Sequence, residues 1–261
     1  ALEVATAMTL KLLYGIEINP VQIALTCFRA ETEFVGTSCG IMDQFASTLG
    51  QKNTFLFLDC RTLRHEHVKL PSQNLRIVLL NTMIRRSAED ILNRRREECL
   101  KALQIIKQFK PTARALRDLL TDDYEELKRH LPYTIRKRCE HVIYENERML
   151  ETVEALKGRD LDKVGRLMRQ SHESCRNLYE VSCRELDLMV ETAESVKGVV
   201  GCRMTGAGLG GCTVDLVWDW AVDELAEKVS KTYKEKTGIK PEIYVCEIPD
   251  GAGELKANSF P

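Results

Sequence analysis

Apolar residues recur at helical or strand spacing along the chain, and turn-forming residues separate the segments. The N-terminal stretch is rich in strong helix formers, and Gly15 with the Asn19 and Pro20 pair predicts where that helix ends. Short apolar runs further on have the length of strands. This part of the sequence predicts helices at residues 1–13 and 21–29, strands at 53–60 and 76–80, and a basic helix at 87–110.

The middle of the chain is helical and charged. Apolar residues recur there at the spacing that places them on one side of a helix. Gly158 and Gly198 each follow such a pattern and are expected to end a helix. The stripe expected to face the core from the longest helix consists of Val142, Ile143, Met149, Leu150 and Val153. Helices are predicted at residues 124–131, 136–156, 161–174 and 186–196.

The last part of the chain alternates between strand and helix patterns. Strands are predicted at residues 199–204, 213–218 and 242–248, with a helix at 222–236. A glycine-rich turn joins the first two of these strands. Strands joined by a short turn pair antiparallel, and amphipathic helices bury their apolar sides on such a sheet. The sequence therefore predicts an α+β fold with helices packed on an antiparallel sheet.

Composition excludes several function classes. The 261 residues carry a formal net charge of −1, so no strong field attracts nucleic acid or an anionic membrane surface. No apolar run approaches the roughly 20 residues that a membrane span needs. Ten cysteines are scattered without a C-x-x-C pair, which is typical of thiols in a reducing compartment rather than of disulfides or a zinc site. We therefore expect a cytoplasmic protein that binds neither nucleic acid nor membrane.

One candidate site is the segment 36–45, in which small residues, two of them glycines, precede the single carboxylate of Asp43. Glycine allows a substrate to approach the backbone closely. An aspartate at the start of a helix is also an ordinary N-cap. From the residues alone, the cap is the favoured interpretation of Asp43.

A second candidate site is the glycine-rich stretch 203–212. The N–H groups of such a loop can face an anion. A strand rather than a helix is predicted after it, which excludes the dinucleotide-binding fingerprint. A tight turn between two strands needs only one or two glycines, so the larger number here favours a functional loop. The glycines concerned are Gly206, Gly208, Gly210 and Gly211.

Two further groups of residues have simpler interpretations. His172 follows Ser171 within a predicted helix, and neither has a visible partner for nucleophilic catalysis. A buried histidine with satisfied hydrogen bonds is therefore expected. Most of a basic cluster is interpreted as a solvated face, from which one side chain could reach a phosphate or carboxylate partner. The cluster consists of Arg85, Arg86, Arg94, Arg95 and Arg96.

Five motifs resemble, in the same order along the chain, those of galactokinases. Residues 39–45 read Cys-Gly-Ile-Met-Asp-Gln-Phe and resemble the family's catalytic-aspartate segment, and residues 203–212 resemble its C-terminal glycine motif. Between them, residues 167–172, 179–183 and 185–187 also follow the family's pattern. The resemblance extends from Ala1 to about Gly251. Galactokinases belong to the GHMP kinases, whose other members phosphorylate mevalonate and homoserine.

The resemblance implies a fold and a reaction. Residues 1–70 would be a remnant of the N-terminal domain of a GHMP-kinase-like fold, and residues 71–261 a C-terminal domain with a helix-backed antiparallel, ferredoxin-like sheet. The reaction implied is ATP-dependent phosphorylation of galactose at its anomeric hydroxyl, which gives galactose 1-phosphate. The alternatives are a kinase for a related sugar and a non-catalytic regulator that binds sugar and nucleotide. The partners would be that sugar and ATP, and a monomer is expected.

The resemblance also assigns roles to particular residues. Asp43 would be the catalytic carboxylate that takes the sugar proton, and it would contact the sugar together with Gly40. Glu31 lies where the family has a magnesium-coordinating glutamate, with Glu33 as the nearby alternative, so the cofactors implied are ATP and Mg²⁺. Support for the phosphate end of the site or for the sugar pocket would come from the glycine motif, Gly206, Gly208, Gly210 and Gly211.

The chain departs from the family's pattern at two places. Leu92 stands where a tyrosine that touches the sugar is expected, and leucine cannot donate a hydrogen bond to a sugar hydroxyl. In the family, residues 2–6 follow directly on a serine-rich loop that cradles the nucleotide phosphates. The segment upstream carries an arginine beside the catalytic aspartate and most of the sugar-binding carboxylates. We therefore expect an N-terminally truncated chain that is inactive, or nearly so, by itself.

Overall fold

The computed structural model describes residues 1–36, 39–87 and 89–254. The chain divides into two compact units. The first is Ala1–Leu70 together with the described residues that follow Cys246, and the second is Pro71–Cys246.

The tail after Cys246 pairs with the first unit through backbone hydrogen bonds. Asn53 N donates to Ile248 O at 3.1 Å, and Gly251 N donates to Gly50 O at 2.8 Å. The sequence prediction differs at this point, because it assigns residues 71–261 to the second domain and so includes this tail in it. The difference arises because this short tail has no hydrophobic periodicity from which its pairing could be read.

The first unit consists of helices followed by a β-hairpin. Its elements are α1 (Leu2–Tyr14), α2 (Pro20–Arg29), α3 (Met42–Leu49) and the antiparallel strands β1 (Thr54–Leu58) and β2 (His65–Lys69). A π-helical turn, Ala30–Val35, continues α2. α1 ends at Gly15, whose φ of 62° is left-handed, and α2 begins with a capping box between Asn19 and Gln22. Both predicted helix boundaries are confirmed.

The second unit is an antiparallel sheet with helices. Its strands are β3 (Leu75–Asn81), β4 (Val199–Met204), β5 (Cys212–Trp218) and β6 (Glu242–Cys246), in the order β4-β5-β3-β6. Every neighbouring pair of these strands is antiparallel. The helices are α4 (Glu89–Ile106), α5 (Thr121–Leu127), α6 (Tyr133–Gly158), α7 (Leu161–Ser174), α8 (Arg184–Glu194) and α9 (Val222–Thr237). The predicted α+β fold with helices on an antiparallel sheet is confirmed.

Apolar burial holds these helices in place. A core between the sheet and the helices α8 and α9 contains Val78, Leu80, Met189, Ala193, Val217, Leu225, Val229 and Tyr233. A separate cluster joins α4, α5 and α6 through Ala102, Ile106, Tyr124, Cys139 and Ile143. Each large apolar side chain buried in this way stabilises the fold by roughly 1.5–3 kcal/mol.

The residues that α6 buries differ from those predicted. Met149 and Leu150, which the apolar stripe places in the core, are 46% and 56% exposed. Polar side chains line part of the buried face instead, which is stable where neighbouring elements satisfy their hydrogen bonds. The helix includes Gly158 and ends at Arg159, with a φ of 57°. The buried residues are Arg138, Cys139, His141, Ile143, Val153, Ala155 and Leu156.

The described residues bear on three general features, which are the cysteines, membrane-spanning helices and metal-binding clusters. The ten cysteines all lie in the described ranges, and they are free thiols. Within the same ranges, no helix is both long and apolar enough to cross a membrane. No group of three or more histidine, cysteine, aspartate or glutamate side chains in these ranges is arranged to hold a metal ion.

Candidate active site

Asp43 lies in the first turn of α3, one residue after the helix begins at Met42. The N-cap position belongs to Ile41, and no described side chain caps the free N–H groups there. The Asp43 side chain is exposed and forms no hydrogen bond or ion pair with any described residue. The interpretation of Asp43 as a helix cap is therefore wrong. Its carboxylate is free for a ligand, and the positive end of the helix dipole favours its charge.

Burial of the two residues after Asp43 fixes the direction in which the Asp43 side chain points. Gln44 and Phe45 are buried in the first unit, and Phe45 is completely enclosed. Successive residues of a helix point about 100° apart, so burial of these two leaves Asp43 on the solvent side. Removing a buried phenylalanine side chain typically costs about 3–5 kcal/mol, so Phe45 holds α3 firmly in this orientation.

Glu31 is held beside the start of α3 by two donors. Its Oε2 atom accepts hydrogen bonds from Gln44 Nε2 at 2.9 Å and from the thiol of Cys39 at 3.0 Å. The hydrogen bond to Glu31 raises the pKa of the Cys39 thiol, so the thiol keeps its proton and donates. The π-helical turn that carries Glu31 is thereby linked to the segment that leads into Asp43.

The oxygens around Glu31 fit a magnesium ion. Within the described part of the chain, Glu31 Oε1 forms no hydrogen bond and the buried Gln44 Oε1 has no partner. Mg²⁺ takes hard oxygen ligands, often only one or two of them from protein with the rest from phosphate and water. Glu33 is a poorer candidate, because its carboxylate pairs with Arg29 at 3.2 Å on the surface.

Gly40 lies in an open stretch of backbone just before α3. A Cβ added there would meet no atom of the described residues within 4 Å, so their packing does not require glycine at this position. The open space is compatible with a ligand that approaches the backbone. Thr37 and Ser38, which belong to the same predicted segment, lie outside the described residues.

The glycine-rich loop joins β4 to β5 and is fastened at two of its N–H groups. Leu209 N donates to Val181 O at 2.8 Å, and Gly211 N donates to Ile84 O at 3.0 Å. Oγ1 of Thr82 also donates to Gly211 O, at 2.8 Å. The N–H groups of residues 206–208 and 210 form no hydrogen bond with any described residue, so they can face an anion.

Each of the four glycines has a reason in the loop's geometry. A Cβ on Gly208 would lie 2.0 Å from Val181 O, and a Cβ on Gly210 would lie 2.4 Å from Ile84 O. Gly206 and Gly211 have room for a side chain, but their φ angles of 73° and 76° favour glycine. The backbone conformation therefore accounts for all four glycines, where the sequence alone accounts for one or two.

Most of the basic cluster is exposed, as expected, and one of its side chains, Arg95, reaches a carboxylate. Arg94 and Arg86 are exposed and pair with Glu98 and Glu185. Arg95 is buried instead, because its guanidinium donates to Glu98 Oε2 at 2.8 Å and to the carbonyl of Tyr179. Tyr179 lies 84 positions away in sequence, so the burial of Arg95 is not visible from the local charge pattern.

His172 is buried, as expected, but only one of its two ring nitrogens has a hydrogen-bond partner among the described residues, so the expectation of satisfied hydrogen bonds is met only in part. Its Nδ1 accepts a hydrogen bond from Met204 N at 3.3 Å, which leaves the proton on Nε2. That nitrogen lies 3.2 Å from Asp187 Oδ1, off the line of a regular hydrogen bond. Burial raises the pKa of Asp187, but interactions with His172 and Ser182 outweigh it and keep this pKa below its ordinary value.

The candidate residues are divided between the two units. Glu31, Gly40 and Asp43 lie within one short stretch of the first unit, and the described hydrogen bonds connect Glu31 to that stretch. The glycine-rich loop belongs to the second unit, as does Leu92 on α4, whose side chain is partly exposed. The first unit presents the carboxylates of Glu31 and Asp43, and the second presents N–H groups that have no partner among the described residues. A carboxylate can accept a proton, and free N–H groups can bind a phosphate.

Comparison with protein families identifies the class to which the chain belongs. The model of the GHMP kinases N terminal domain matches residues 1–51, and that of GHMP kinases C terminal matches residues 152–235. With the α+β fold, these matches define the chain as a GHMP kinase. The two models fall on the parts that carry Asp43 and the glycine-rich loop.

Individual relatives narrow the class to one family. The galactokinase of Fusobacterium nucleatum is 41% identical over 258 residues, which cover 98% of this chain and 66% of that protein. The galactokinase of Roseiflexus sp. strain RS-1 is 40% identical over 261 residues, covering 100% of this chain and 67% of that protein. The crystal structure of Lactococcus lactis galactokinase complexed with galactose matches with a TM-score of 0.91 and 32% identity, over 97% of this chain and 66% of that chain.

The chain belongs to the galactokinase family. It spans about two thirds of the length of these relatives.

Proposed function

We propose that the full-length gene product containing this chain transfers the γ-phosphoryl group of ATP to the anomeric hydroxyl of galactose. The observation that carries the proposal is the exposed carboxylate of Asp43 at the start of α3, which has no partner among the described residues. The match to a galactokinase that was crystallised with galactose supports the choice of substrate. The products are galactose 1-phosphate and ADP.

Asp43 acts in this reaction as the general base. Its carboxylate accepts the proton of the anomeric hydroxyl while that oxygen bonds to the γ-phosphorus. The bond from phosphorus to the β,γ-bridging oxygen breaks, and the electron pair leaves with ADP. A positioned base of this kind contributes roughly 10²–10⁴-fold in rate. Gly40 gives the sugar close access to the backbone beside this carboxylate.

The remaining candidate residues have roles in binding the metal and in binding either the phosphates or the sugar. Glu31, with an oxygen free in the described structure, would hold Mg²⁺, which neutralises phosphate charge when it is bound. The free N–H groups of the glycine-rich loop contribute fixed dipoles for the phosphate end of the site or for the sugar pocket. The motif's glycines Gly206, Gly208, Gly210 and Gly211 give the loop the conformation that exposes these groups.

Leu92 favours a second candidate substrate, a sugar related to galactose. Its side chain is 37% exposed on α4 and offers no hydrogen bond where the family has a tyrosine. A site built to pair a hydroxyl loses affinity when the partner group is apolar. Leu92→Tyr is therefore expected to lower the KM for galactose several-fold in the full-length protein. An unchanged KM would contradict a role for this position in sugar binding.

The test of the proposed function is sugar-dependent release of ADP by purified full-length protein. We expect turnover with galactose that requires Mg²⁺ and exceeds the rate of ATP hydrolysis without sugar. Glucose and talose, which differ from galactose at one hydroxyl each, serve as matched controls. Greater turnover with another sugar would favour the second candidate, and no turnover with any sugar would favour a regulator that binds without catalysis. We also propose a cytoplasmic location, on the basis of the scattered free cysteines, and a monomer.

A further inference from the structure

The glycine-rich loop rests on the segment formed by residues 178–181, called here the support segment. Leu209 N donates to the carbonyl oxygen of Val181, and Gly208 approaches the same oxygen so closely that no side chain fits between them. A displacement of the Val181 carbonyl would therefore move the middle of the loop.

The support segment lies at the carboxyl end of a helix. A π-helical turn, Cys175–Tyr179, continues α7, and Glu180 ends it in the left-handed conformation with a φ of 55°. The last carbonyls of a helix have no partners within the helix, and they carry the negative end of its dipole. These carbonyls need donors, and cations are the most favourable ones.

Two buried arginines from other helices supply those donors. Arg138 on α6 donates to Leu178 O through Nη1 and to Glu180 Oε2 through Nη2 at 2.6 Å. Arg95 on α4 donates to Tyr179 O through Nε and to Glu180 O through Nη2 at 3.4 Å. The two guanidinium groups thus bind all three carbonyl groups that precede Val181.

Glu98 and Glu180 fix the orientation of the two arginines. Glu98 Oε2 accepts from Arg138 Nε and from Arg95 Nη1, at 2.8 Å in each case. Hydrogen bonds from Arg138 and Lys137 lower the pKa of Glu180 to about 2, so its carboxylate stays ionised in any ordinary buffer. Arg138 is only 2% exposed, and every nitrogen of its guanidinium has a partner.

The chain on either side of this contact is held as well. Ser182, the residue after Val181, donates to Asp187 Oδ1 at 2.5 Å. The same carboxylate faces His172, which accepts from the N–H of Met204 at the entrance to the loop. The entrance and the middle of the loop are therefore both connected to one group of residues, whose most enclosed cation is Arg138.

We propose that Arg138 is a positioning residue for the glycine-rich loop. It fixes the support segment through the Leu178 carbonyl and the Glu180 carboxylate, and the support segment in turn fixes the Val181 carbonyl on which the loop rests. A buried charge network of this kind is a poor source of stability compared with apolar packing. Its more specific contribution is to fix the position of the support segment. The kinetic consequences rest on the proposed function, whereas the loop geometry does not.

The test compares Arg138→Met, Arg138→Lys and a control variant in the full-length gene product. Amide hydrogen exchange is followed by NMR at Leu209, which bonds to Val181, and at Gly211, which bonds to Ile84. The control is Tyr124→Phe, which removes the buried hydroxyl that donates to Glu140 on the same helix α6. Catalytic constants are measured on the same samples.

We expect Arg138→Met to speed exchange at Leu209 at least about tenfold more than exchange at Gly211, and to lower kcat/KM for ATP roughly 10–100-fold. Arg138→Lys should give intermediate values, because an ammonium cannot bind two partners in the planar geometry of a guanidinium. Tyr124→Phe should leave the ratio of the two exchange rates as it is in the wild type.

Equal acceleration at Leu209 and Gly211, or the same pattern in Tyr124→Phe, would reduce Arg138 to general stabilisation and overturn the proposal. Unchanged exchange at Leu209 would also overturn it. If Arg138→Met does not fold, the same comparison in Arg138→Lys decides between these outcomes. If the wild type shows no sugar-dependent turnover, the proposed function fails while the exchange ratio still decides the role of Arg138.

Discussion

Asp215 provides a prediction about stability that depends on pH. It lies on β5, completely buried on the side of the sheet that faces α8 and α9. Thr213 Oγ1 donates to its Oδ2 atom at 2.6 Å, while Oδ1 has no hydrogen-bond partner among the described residues. Burial raises the pKa of Asp215 to about 8, and interactions with Thr213 and Cys202 offset only part of that effect.

The direction and size of the pH effect follow from proton linkage. The folded protein keeps the Asp215 proton up to about pH 8, whereas an unfolded aspartate loses it above about pH 4. Unfolding therefore releases a proton between these values, and the free energy of unfolding falls as pH rises, by about 1.4 kcal/mol per pH unit. Between pH 5 and pH 7 the loss amounts to about 2.7 kcal/mol.

Asp215→Asn isolates this contribution. Asparagine has the shape of the protonated acid and does not titrate. The free energy of unfolding of the variant therefore lacks the pH-dependent fall that Asp215 causes, while every other group titrates as before. We expect its stability relative to wild type, measured by urea unfolding of the full-length protein, to improve by about 2–3 kcal/mol from pH 5 to pH 7. A relative stability that is the same at both pH values would show that Asp215 is ionised in the folded state, contrary to this prediction.

Two further predictions concern the candidate site. Gly208→Ala should lower kcat/KM roughly 10²-fold, because its Cβ would lie 2.0 Å from a carbonyl oxygen and push the loop away. Gly206→Ala should lower kcat/KM less, because its Cβ meets no atom of the described residues within 4 Å. Equal losses in the two variants would contradict the steric explanation. Glu31→Gln should raise the Mg²⁺ concentration for half-maximal activity at least about tenfold, a scale typical of weakened metal sites. Glu33→Gln should leave it unchanged, and the opposite result would reassign the metal ligand.

Local patterns predict the secondary structure of this chain well where the signals are themselves local. Gly15 and the capping box at Asn19 mark their helix ends in the structure because these residues act on neighbouring backbone groups. The exposure of Met149 and Leu150 could not be predicted in the same way. Periodicity shows that a helix has two different faces, but not which neighbouring element covers each part of its length.

Site residues could likewise be predicted where they depend on their neighbours in sequence, but not where they depend on distant residues. The segment around Asp43 and the four glycines stand out in the sequence, because both depend on residues that are adjacent in the chain. Arg138 carries no local signal, since its partners Glu98 and Glu180 lie 40 and 42 positions away in sequence. Only packing of α4, α6 and the end of α7 against one another brings these charges together.

The most direct test of the proposed function is the turnover of Asp43→Asn in the full-length protein. Asparagine keeps the shape of the side chain but removes its charge and basicity. We expect kcat for galactose phosphorylation to fall roughly 10²–10⁴-fold. Thermal stability should barely change, because the Asp43 carboxylate has no partner among the described residues. Turnover within a few-fold of wild type, in a sample with an unchanged melting temperature, would contradict the assignment of Asp43 as the general base.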